Sequence, residues 1–534
     1  MLVKKSGKEG TKNLSKQRKV VARSPWDAAH EYLEKEKKKS GNTPYVEPEI
    51  VSELFSEETG TSKIIPKSVD GYLQNWPKPD MGPDAFVWHL GKKYSQLAEA
   101  RDKVFSKIKT DKCIKIAHID TGYQKGHPCL PDFMQIGVSF IEGEIGSNAE
   151  DRKKENFAEQ EGHGTATMSL LAGRSVKNID TGNRYEGIFG AIPFAEIIPI
   201  RICDTVALIR SDSFVNAVEF AISQGCEVIT MSMAGAPTRE WADVVNKAYE
   251  AGVFMVTAAG NSWVKGIQKL LPKRILYPAR WDRVVAATGV GADLNPYIFK
   301  APKLLTKTAG GETMQGNYGP DEAMKTALAA YTPNTSWATM NESGNKVYFT
   351  LDGGGTSSAT PQIAAAAALW ICYNREKLQT LVGTDPKNQW KKVEAVRYAL
   401  FNTASKQYKQ YKKYLGNGSL RALDALDKFP TDKDLKKSDE AKVVLDGIAD
   451  LLGIILRLKN LPGPANYAQV KSEMFATEVL QELHNNPDLH FLLDYNNSEK
   501  WSMADKRKAK QVLLKSKSLS VPLKNKIKAL AKNE

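Results

Sequence analysis

Short apolar segments alternate with amphipathic ones along residues 114–291, and this alternation constrains the fold more than any other feature. Strands that are buried on both faces are typically short, continuous apolar runs. The segments of this kind are IKIAHID (114–120), AEIIPIRIC (195–203), CEVITMSMAG (226–235), VFMVTAAG (253–260) and DRVVAATGVG (282–291). The intervening segments predict helices, namely GTATMSLLAG (164–173), SFVNAVEFAISQG (213–225) and WADVVNKAYEAG (241–252). Alternating strands and helices predict an α/β fold, with a mostly parallel sheet covered by helices on both faces.

The rest of the chain adds helices and one interruption. Residues 292–346 show little pattern and break the alternation. After about residue 430 the pattern is helical throughout, so we expect an all-helical C-terminal module. GGGTSSATPQIAAAAALW (353–370) predicts a tightly packed alanine helix, and the other predicted helices are residues 88–108, 393–404, 467–483 and 506–518.

The net charge of +14 is concentrated at the two ends of the chain. Residues 1–42 hold 12 Lys/Arg against 5 Asp/Glu, and residues 504–534 hold 10 against 2. Basic ends suit nucleic acid or an acidic membrane surface. However, no aromatic-rich nucleic-acid motif accompanies them. We therefore favour solvated ends and expect no nucleic-acid partner.

Composition and cysteine use bear on the compartment. A 42% hydrophobic and 25% charged chain is typical of soluble globular proteins. The first residues lack the apolar core of a secretory signal, and the apolar stretch 443–456 is too short and too acidic for a membrane span. The pattern of cysteines predicts no metal pair and no disulfide framework, and most lie in apolar runs that favour reduced, buried thiols. We therefore expect a cytoplasmic protein; the cysteines are Cys113, Cys129, Cys203, Cys226 and Cys372.

In an open parallel sheet, ligands bind and catalytic groups lie at the carboxyl ends of the strands, and four polar residues are candidates for that edge. Asp120 ends the first predicted strand, and Asn261 follows VFMVTAAG. His163 lies between two glycines at the start of a helix, and Ser357 begins the alanine helix. Each residue alone has an ordinary structural interpretation, as a helix cap or a turn residue.

Taken in order, the segments around these residues resemble the motifs of the subtilisin-like serine proteases. Further similar segments are residues 190–202, 232–235, 277–290 and 416–426. The resemblance covers roughly residues 85–428 and implies a subtilisin-like catalytic domain there, between a basic N-terminal extension (1–84) and a helical C-terminal module (429–534). The motifs are Asp120-Thr121-Gly122, His163-Gly164-Thr165, Ala258-Ala259-Gly260-Asn261 and Gly355-Thr356-Ser357-Ser358-Ala359-Thr360-Pro361.

The resemblance implies a serine endopeptidase with an Asp120–His163–Ser357 triad. A serine hydroxyl becomes a good nucleophile when a base takes its proton; His163 would be that base, and Asp120 would hold the imidazole in the useful tautomer. The chain order Asp, His, Ser is the subtilisin order. Asn261 would donate a hydrogen bond to the developing oxyanion, alongside the Ser357 N–H. Ser358 is the competing nucleophile, disfavoured because the family's serine directly follows Gly-Thr.

The resemblance also implies a pocket for the residue before the scissile bond. A leucine at its floor, where a glycine would leave more room, predicts a restricted apolar pocket that prefers small or medium side chains to Arg or Lys. Core packing is an equal alternative for Leu276. The family usually has a second histidine three residues after the catalytic one. That position is Ala166 here, and it is not part of the triad. The implied substrate-binding residues are Ser232, Met233, Ala234 and Gly235 on one wall, Ala259 and Gly260 on another, and Leu276 at the floor.

The extensions, cofactors and partners stay open. Residues 1–84 lack the strand–helix–strand pattern of a folded prodomain, so we expect a tether or an extended autoinhibitory segment, with residues 60–85 as the candidate to cross the cleft. We expect no required cofactor and assign no metal; calcium is open, because the partly acidic stretch 141–164 has no recognisable ligand spacing. The expected partners are a polypeptide substrate and an unidentified protein for the C-terminal module. Two alternative functions are an inert protease-fold scaffold and a nucleic-acid-binding protein that uses the basic ends.

Overall fold

The computed structural model describes most of the chain in eleven stretches. These are residues 24–41, 43–49, 51–53, 85–151, 162–204, 208–264, 274–297, 313–339, 348–443, 465–492 and 502–531. Its strands are β1 Val51–Glu53, β2 Lys115–Asp120, β3 Val138–Ser139, β4 Ser175–Val176, β5 Gly187–Ile188, β6 Glu196–Arg201, β7 Leu208–Arg210, β8 Val228–Met231, β9 Phe254–Ala258, β10 Asn261–Val264, β11 Val285–Val290, β12 Thr313–Gly316, β13 Ala327–Tyr331, β14 Thr335–Ala338 and β15 Phe349–Gly353.

Helices are interspersed with these strands and continue beyond them. The α-helices are α1 Pro25–Ser40, α2 Leu97–Ile108, α3 His163–Ala172, α4 Ser211–Ser223, α5 Arg239–Glu250, α6 Asp321–Met324, α7 Gly355–Tyr373, α8 Arg375–Val382, α9 Trp390–Thr403, α10 Tyr411–Tyr414, α11 Ala422–Leu426, α12 Ala465–Asn485, α13 Met503–Lys515 and α14 Val521–Ala531. Short 3₁₀ helices span Ala85–Leu90, Asn178–Thr181, Pro386–Asn388, Asp432–Asp434 and Pro487–Leu492.

Within the described residues, the central sheet has seven strands in the order β13-β11-β9-β8-β2-β6-β3, and all neighbouring pairs are parallel. Successive residues of a strand point to opposite faces. Ile116 packs in the apolar cluster that contains helix α7, whereas Ala117 and Ile119 pack in the cluster that contains α4 and α5. Helices therefore cover both faces, and the predicted α/β fold with additional C-terminal helices is confirmed.

The edge strand β13 was missed by the sequence patterns, because it lies inside the stretch 292–346 that shows little periodicity. Its sequence, ALAAY, contains no β-branched residue, so propensity does not indicate a strand. It pairs with β11 over five residues and is fully buried. Burial against the alanine helix α7, rather than local propensity, selects the extended conformation.

The predicted single helix over residues 88–108 is wrong in its first half. A 3₁₀ helix ends at Leu90, a turn follows, and α2 begins only at Leu97. Gln96, directly before α2, has a φ of +61°, which no helix continues through. The helix breaks here because the chain turns between two buried segments.

The expectation of reduced thiols is wrong for two cysteines. Cys113 and Cys372 form a disulfide across 259 residues of sequence, and it joins the segment just before β2 to the last turn of α7. Cys129, Cys203 and Cys226 are free and buried, as expected. Two cysteines so distant in sequence carry no local pairing signal, so only the fold reveals them.

Helix α1 packs against the C-terminal helices. The C-terminal helices α12, α13 and α14 share an apolar cluster of their own. Trp26 and Leu33 of α1 pack with Tyr467 and Met474 of α12 in a second cluster. The N-terminal extension contains this 16-residue helix α1, which is capped by Ser24. The apolar stretch 443–456 lies, apart from its first residue, outside the described residues.

Candidate active site

Asp120 and His163 form a direct hydrogen-bonded pair at the carboxyl edge of the sheet. Asp120 is the last residue of β2, and His163 is the first residue of α3. The imidazole Nδ1 lies 2.7 Å from the carboxylate Oδ1, and both side chains are buried. A carboxylate at Nδ1 places the imidazole proton there and leaves Nε2 as a base.

The carboxylate of Asp120 is held by other donors as well. The backbone N–H of Thr121 donates to Oδ1 at 2.8 Å, and the hydroxyl of Thr167 lies 3.1 Å from Oδ2. Burial alone would raise the pKa of Asp120, but the charge and hydrogen bond of His163 and the bond from Thr121 together lower it. Asp120 is therefore ionised at neutral pH and available to stabilise a charged imidazole.

Nε2 of His163 is buried and has no hydrogen-bond partner among the described residues. Ser357 lies in the first turn of α7, which packs directly against α3. The Ser357 hydroxyl donates to the carbonyl oxygen of Ser232 at 3.2 Å. In this conformation the serine proton is thus held by a neutral carbonyl, and the base position of the imidazole is open.

Ser358, the competing nucleophile, is turned into the protein. Its hydroxyl donates to the carbonyl oxygen of Gly355 at 3.1 Å, and the residue has no exposed surface. Ser357 retains 8% of its surface. The backbone bond of Ser358 is the usual one for a serine inside a helix, so the geometry favours Ser357 as the reactive hydroxyl.

Asn261 has its amide oriented by the residue before Ser357. The backbone N–H of Thr356 donates to Oδ1 at 2.9 Å, and the Thr356 hydroxyl lies 3.2 Å from the same atom. Fixing Oδ1 in this way leaves the Nδ2 hydrogens to donate elsewhere. Gly355 has a φ of +75°, and a Cβ there would lie 3.0 Å from Nδ2. Glycine at 355 therefore keeps the amide beside the start of α7.

Comparison with known proteins identifies the family. The family model described as "Subtilase family" matches residues 111–418, more than half of the chain. The chain belongs to the subtilase family.

Curated relatives of this subtilase are distant. It is 27% identical to subtilisin DY of Bacillus licheniformis over 280 residues, which cover 52% of this chain and 81% of the relative. It is 27% identical to subtilisin E of Bacillus subtilis (strain 168) over 258 residues, covering 48% of this chain and 55% of the relative. The major intracellular serine protease of the same strain is 26% identical over 272 residues, covering 50% and 71%. The chain thus spans only about half the length of subtilisin E.

The predictions of family and fold are confirmed, and that of a serine-type endopeptidase is confirmed at the level of the family. Among the described residues, no helix is long and apolar enough to cross a membrane. Cytoplasmic location stays a prediction, and the disulfide removes the support that cysteine use gave it. The acidic stretch 141–164 falls partly outside the described residues, so calcium also stays untested.

The residues implied to line the pocket of this subtilase lie close together. Gly235 and Tyr277 form an antiparallel bridge, which places the segment from Ser232 to Gly235 beside the segment containing Leu276. Leu276 donates its N–H to the carbonyl oxygen of Ala259 at 3.0 Å. Met233 and Ala234 are buried.

Leu276 also fills the space above Gly260. A Cβ at Gly260 would lie 2.8 Å from Cδ1 of Leu276 and 2.7 Å from Nδ2 of Asn317. Gly260 has a φ of +93°, so both its conformation and its surroundings require glycine. Leu276 keeps only 6% of its surface, a value that suits a pocket floor and core packing alike.

Two site residues were missed by sequence reasoning. Trp337 of β14 stands edge-on to His163, with ring centroids 6.1 Å apart, and Asn317 lies beside Gly260. Both come from the stretch 292–346, which carries no motif. Asn317 is tied to the pocket by its N–H, which donates to the carbonyl oxygen of Gly260 at 2.9 Å. Asn317 directly follows β12, a strand that the sequence pattern does not predict, so no motif marks it.

Proposed function

We propose that this subtilase is an active serine endopeptidase that hydrolyses peptide bonds through an acyl-enzyme. The observation that carries the proposal is the buried, unpartnered Nε2 of His163, whose Nδ1 is fixed by Asp120. Ser357 would give its proton to this nitrogen and attack the scissile carbonyl carbon. The nitrogen would then return the proton to the leaving amine, and water would repeat the cycle to release the acid.

Asn261 would act on the oxyanion that this attack creates. Its Oδ1 is held by Thr356, so its Nδ2–H can be aimed at the negative oxygen without reorganisation. The N–H of Ser357 belongs to the first turn of α7, where backbone donors have no partner within the helix. The positive end of the helix favours the same charge.

We further propose that Leu276, Ala259 and Gly260 bound a restricted apolar pocket for the side chain before the scissile bond. The support is the packing of Leu276 over Gly260 and its bond to Ala259. Such a pocket would favour alanine or leucine over phenylalanine, arginine or lysine in the substrate.

The extensions would serve the catalytic domain, with boundaries at residues 84 and 428. We propose that the N-terminal extension is a tether rather than an inhibitor. Trp26 donates to Gln481 of α12 at 3.0 Å, and Glu47 accepts the N–H groups of Arg239 and Glu240 at the start of α5. Beyond Glu47, β1 pairs with β7. The extension thus ties the C-terminal helices to the catalytic domain.

The deciding experiment is labelling with a fluorophosphonate probe, read by intact mass. We expect one adduct on the wild-type protein, none on Ser357→Ala, and one on the matched control Ser358→Ala. No adduct on a folded wild-type protein would favour the inert scaffold. Labelling of Ser357→Ala but not Ser358→Ala would move the nucleophile to Ser358.

A further inference from the structure

A second buried histidine, His118, is connected to the candidate triad through a threonine. His118 lies in β2, two residues before Asp120, and is 2% exposed. Its Nε2 lies 2.8 Å from Oγ1 of Thr167, and that oxygen lies 3.1 Å from Oδ2 of Asp120. Thr167 follows His163 by four residues on α3. One hydroxyl therefore touches both the histidine and the carboxylate.

The two oxygens of Asp120 are served differently. Oδ1 accepts hydrogen bonds from the N–H of Thr121 and from His163. For Oδ2, the hydroxyl of Thr167 is the donor within hydrogen-bond distance among the described residues. Asp120 is 1% exposed, so an unsatisfied carboxylate oxygen there would be costly. The hydroxyl of Thr167 thus has a specific electrostatic task.

A hydroxyl has one proton, and several acceptors compete for that of Thr167. The carbonyl oxygens of His163 and Gly164 lie at 3.1 and 3.3 Å, and both are neutral. The carboxylate is the stronger acceptor, because hydrogen bonds to ionised groups are about twice as strong. His118 is the remaining competitor, and its tautomer decides the outcome. A proton on Nε2 makes His118 a donor to Thr167; a proton on Nδ1 makes Nε2 an acceptor of the same hydroxyl proton.

We propose that His118 and Thr167 are positioning residues for the triad. His118 carries its proton on Nε2 and donates it to Thr167, whose own proton then bonds Oδ2 of Asp120. This bond stops rotation of the carboxylate and keeps Oδ1 facing Nδ1 of His163. The inference rests on the proposed protease function, because the triad gives the positioning its purpose.

The surroundings of His118 keep it neutral, as this role requires. Pro199 of β6 and Thr230 of β8 stand beside it in the sheet. The charged or titratable groups that act on it are Asp120 and His163. Burial lowers the pKa of His118 to about 4, so at neutral pH the ring has one N–H and one acceptor nitrogen.

The first test compares four variants in fluorophosphonate labelling and in peptide hydrolysis. Thr167→Val removes the hydroxyl at nearly constant shape, and we expect kcat and the labelling rate to fall about tenfold or more, with KM unchanged. Thr167→Ser keeps the hydroxyl and should restore most of the rate. In His118→Phe, kcat and the labelling rate should fall several-fold. The double variant His118→Phe/Thr167→Val should be no slower than Thr167→Val, because the two residues act as one unit.

The second test is nitrogen-15 NMR of the histidine rings in the full-length protein, which reports directly which nitrogen of His118 carries the proton. A proton on Nε2 of His118 in the wild-type protein supports the proposal, as does loss of its hydrogen bond to residue 167 in Thr167→Val. An Nδ1–H tautomer, or a folded Thr167→Val with the wild-type kcat, overturns it. A wild-type protein that neither labels nor cleaves peptides contradicts the proposed function itself and the positioning role with it. A wild-type protein that labels while Thr167→Val labels equally fast contradicts only the positioning role.

Discussion

Ser357 and Ser232 exchange hydrogen bonds: the Ser357 hydroxyl donates to the carbonyl oxygen of Ser232 at 3.2 Å, and the Ser232 hydroxyl donates to the carbonyl oxygen of Ser357 at 3.0 Å. The first turn of α7 is thereby fastened to the segment that follows β8. A neutral hydrogen bond of this kind contributes about 1 kcal/mol, so turning the Ser357 hydroxyl from this carbonyl toward His163 costs little.

Asn261→Leu removes the amide donor and should lower kcat by about a hundredfold or more, with little change in KM. This is the size of loss known for such a donor in a subtilisin, about 3 kcal/mol of transition-state stabilisation. Steady-state kinetics on a peptide substrate would measure it. Thr356→Val is the matched control: it removes a hydroxyl that contacts Oδ1 and the carbonyl oxygen of Gly260 but leaves the amide donor in place, so its effect should be milder. An unchanged kcat in a folded Asn261→Leu would exclude the oxyanion role.

Leu276→Gly should open the pocket above Gly260. We expect the ratio of kcat/KM for phenylalanine over alanine before the scissile bond to rise about tenfold or more, because a pocket discriminates by the volume it excludes. A panel of peptides that differ at this one position would measure the ratio. Leu276→Ile preserves volume and should leave the preference unchanged. A loss of stability without any change in preference would assign Leu276 to the core alone.

The Cys113–Cys372 disulfide should stabilise the catalytic domain. The double variant Cys113→Ser/Cys372→Ser should lose about 2–4 kcal/mol of unfolding free energy, because the bond closes a long loop in the unfolded chain. Denaturant unfolding with and without reductant would measure this. Reductant should lower the stability of the wild-type protein and have no effect on the double variant. Equal stability of all four samples would mean that the bond does not form.

The sequence predicts the sheet core and the four catalytic candidates because both depend on local signals. Buried strands are continuous apolar runs, and Asp120, His163, Asn261 and Ser357 sit in short motifs at the ends of those runs. The missed features depend on contacts between distant segments. Strand β13 is extended because of its burial, and Trp337 reaches His163 because β14 packs against α3.

The hydrogen bonds that connect His118 to Asp120 through Thr167 also depend on a contact between distant segments, so the sequence does not predict them. His118 looks like one more residue of an apolar strand until α3 brings Thr167 against it. The contacts between α1 and the C-terminal helices are another case, since they join residues more than 400 positions apart. A basic, polar N-terminal sequence gives no sign of where its helix docks.

Deletion of residues 1–84 distinguishes a tether from an inhibitor. As a tether, the extension should leave the fluorophosphonate labelling rate unchanged, while its loss lowers the stability of the C-terminal helices that pack on α1. Labelling rate and thermal unfolding of the truncated protein would report the two effects separately. A truncated protein that labels about tenfold faster or more would make the extension an inhibitor. The candidate crossing segment, residues 60–85, lies outside the described residues except for Ala85.

The docking of α1 on the C-terminal helices should depend on pH through a buried pair. Nε2 of His30 lies 3.1 Å from Oε2 of Glu478, and Ser520 donates both its N–H and its hydroxyl to that carboxyl group. Burial raises the pKa of Glu478 to about 8 and lowers the pKa of His30 to about 3. Both groups are therefore held in their neutral forms when α1 is docked.

The signs of the two shifts set the pH window. A raised carboxyl pKa contributes stability that is lost as pH rises toward 8, whereas a lowered histidine pKa contributes stability that is lost as pH falls below about 6.5. The two effects oppose each other between about pH 4.5 and 6.5, and only that of Glu478 acts between about pH 6.5 and 8. Hydrogen exchange of α1 should therefore accelerate from pH 6.5 to 8 by more than the intrinsic exchange rate does. Over this range the free energy of opening α1 should fall by about 2 kcal/mol at most. Glu478→Gln cannot ionise and should abolish this excess, while an equal excess in that variant would assign the effect to another group.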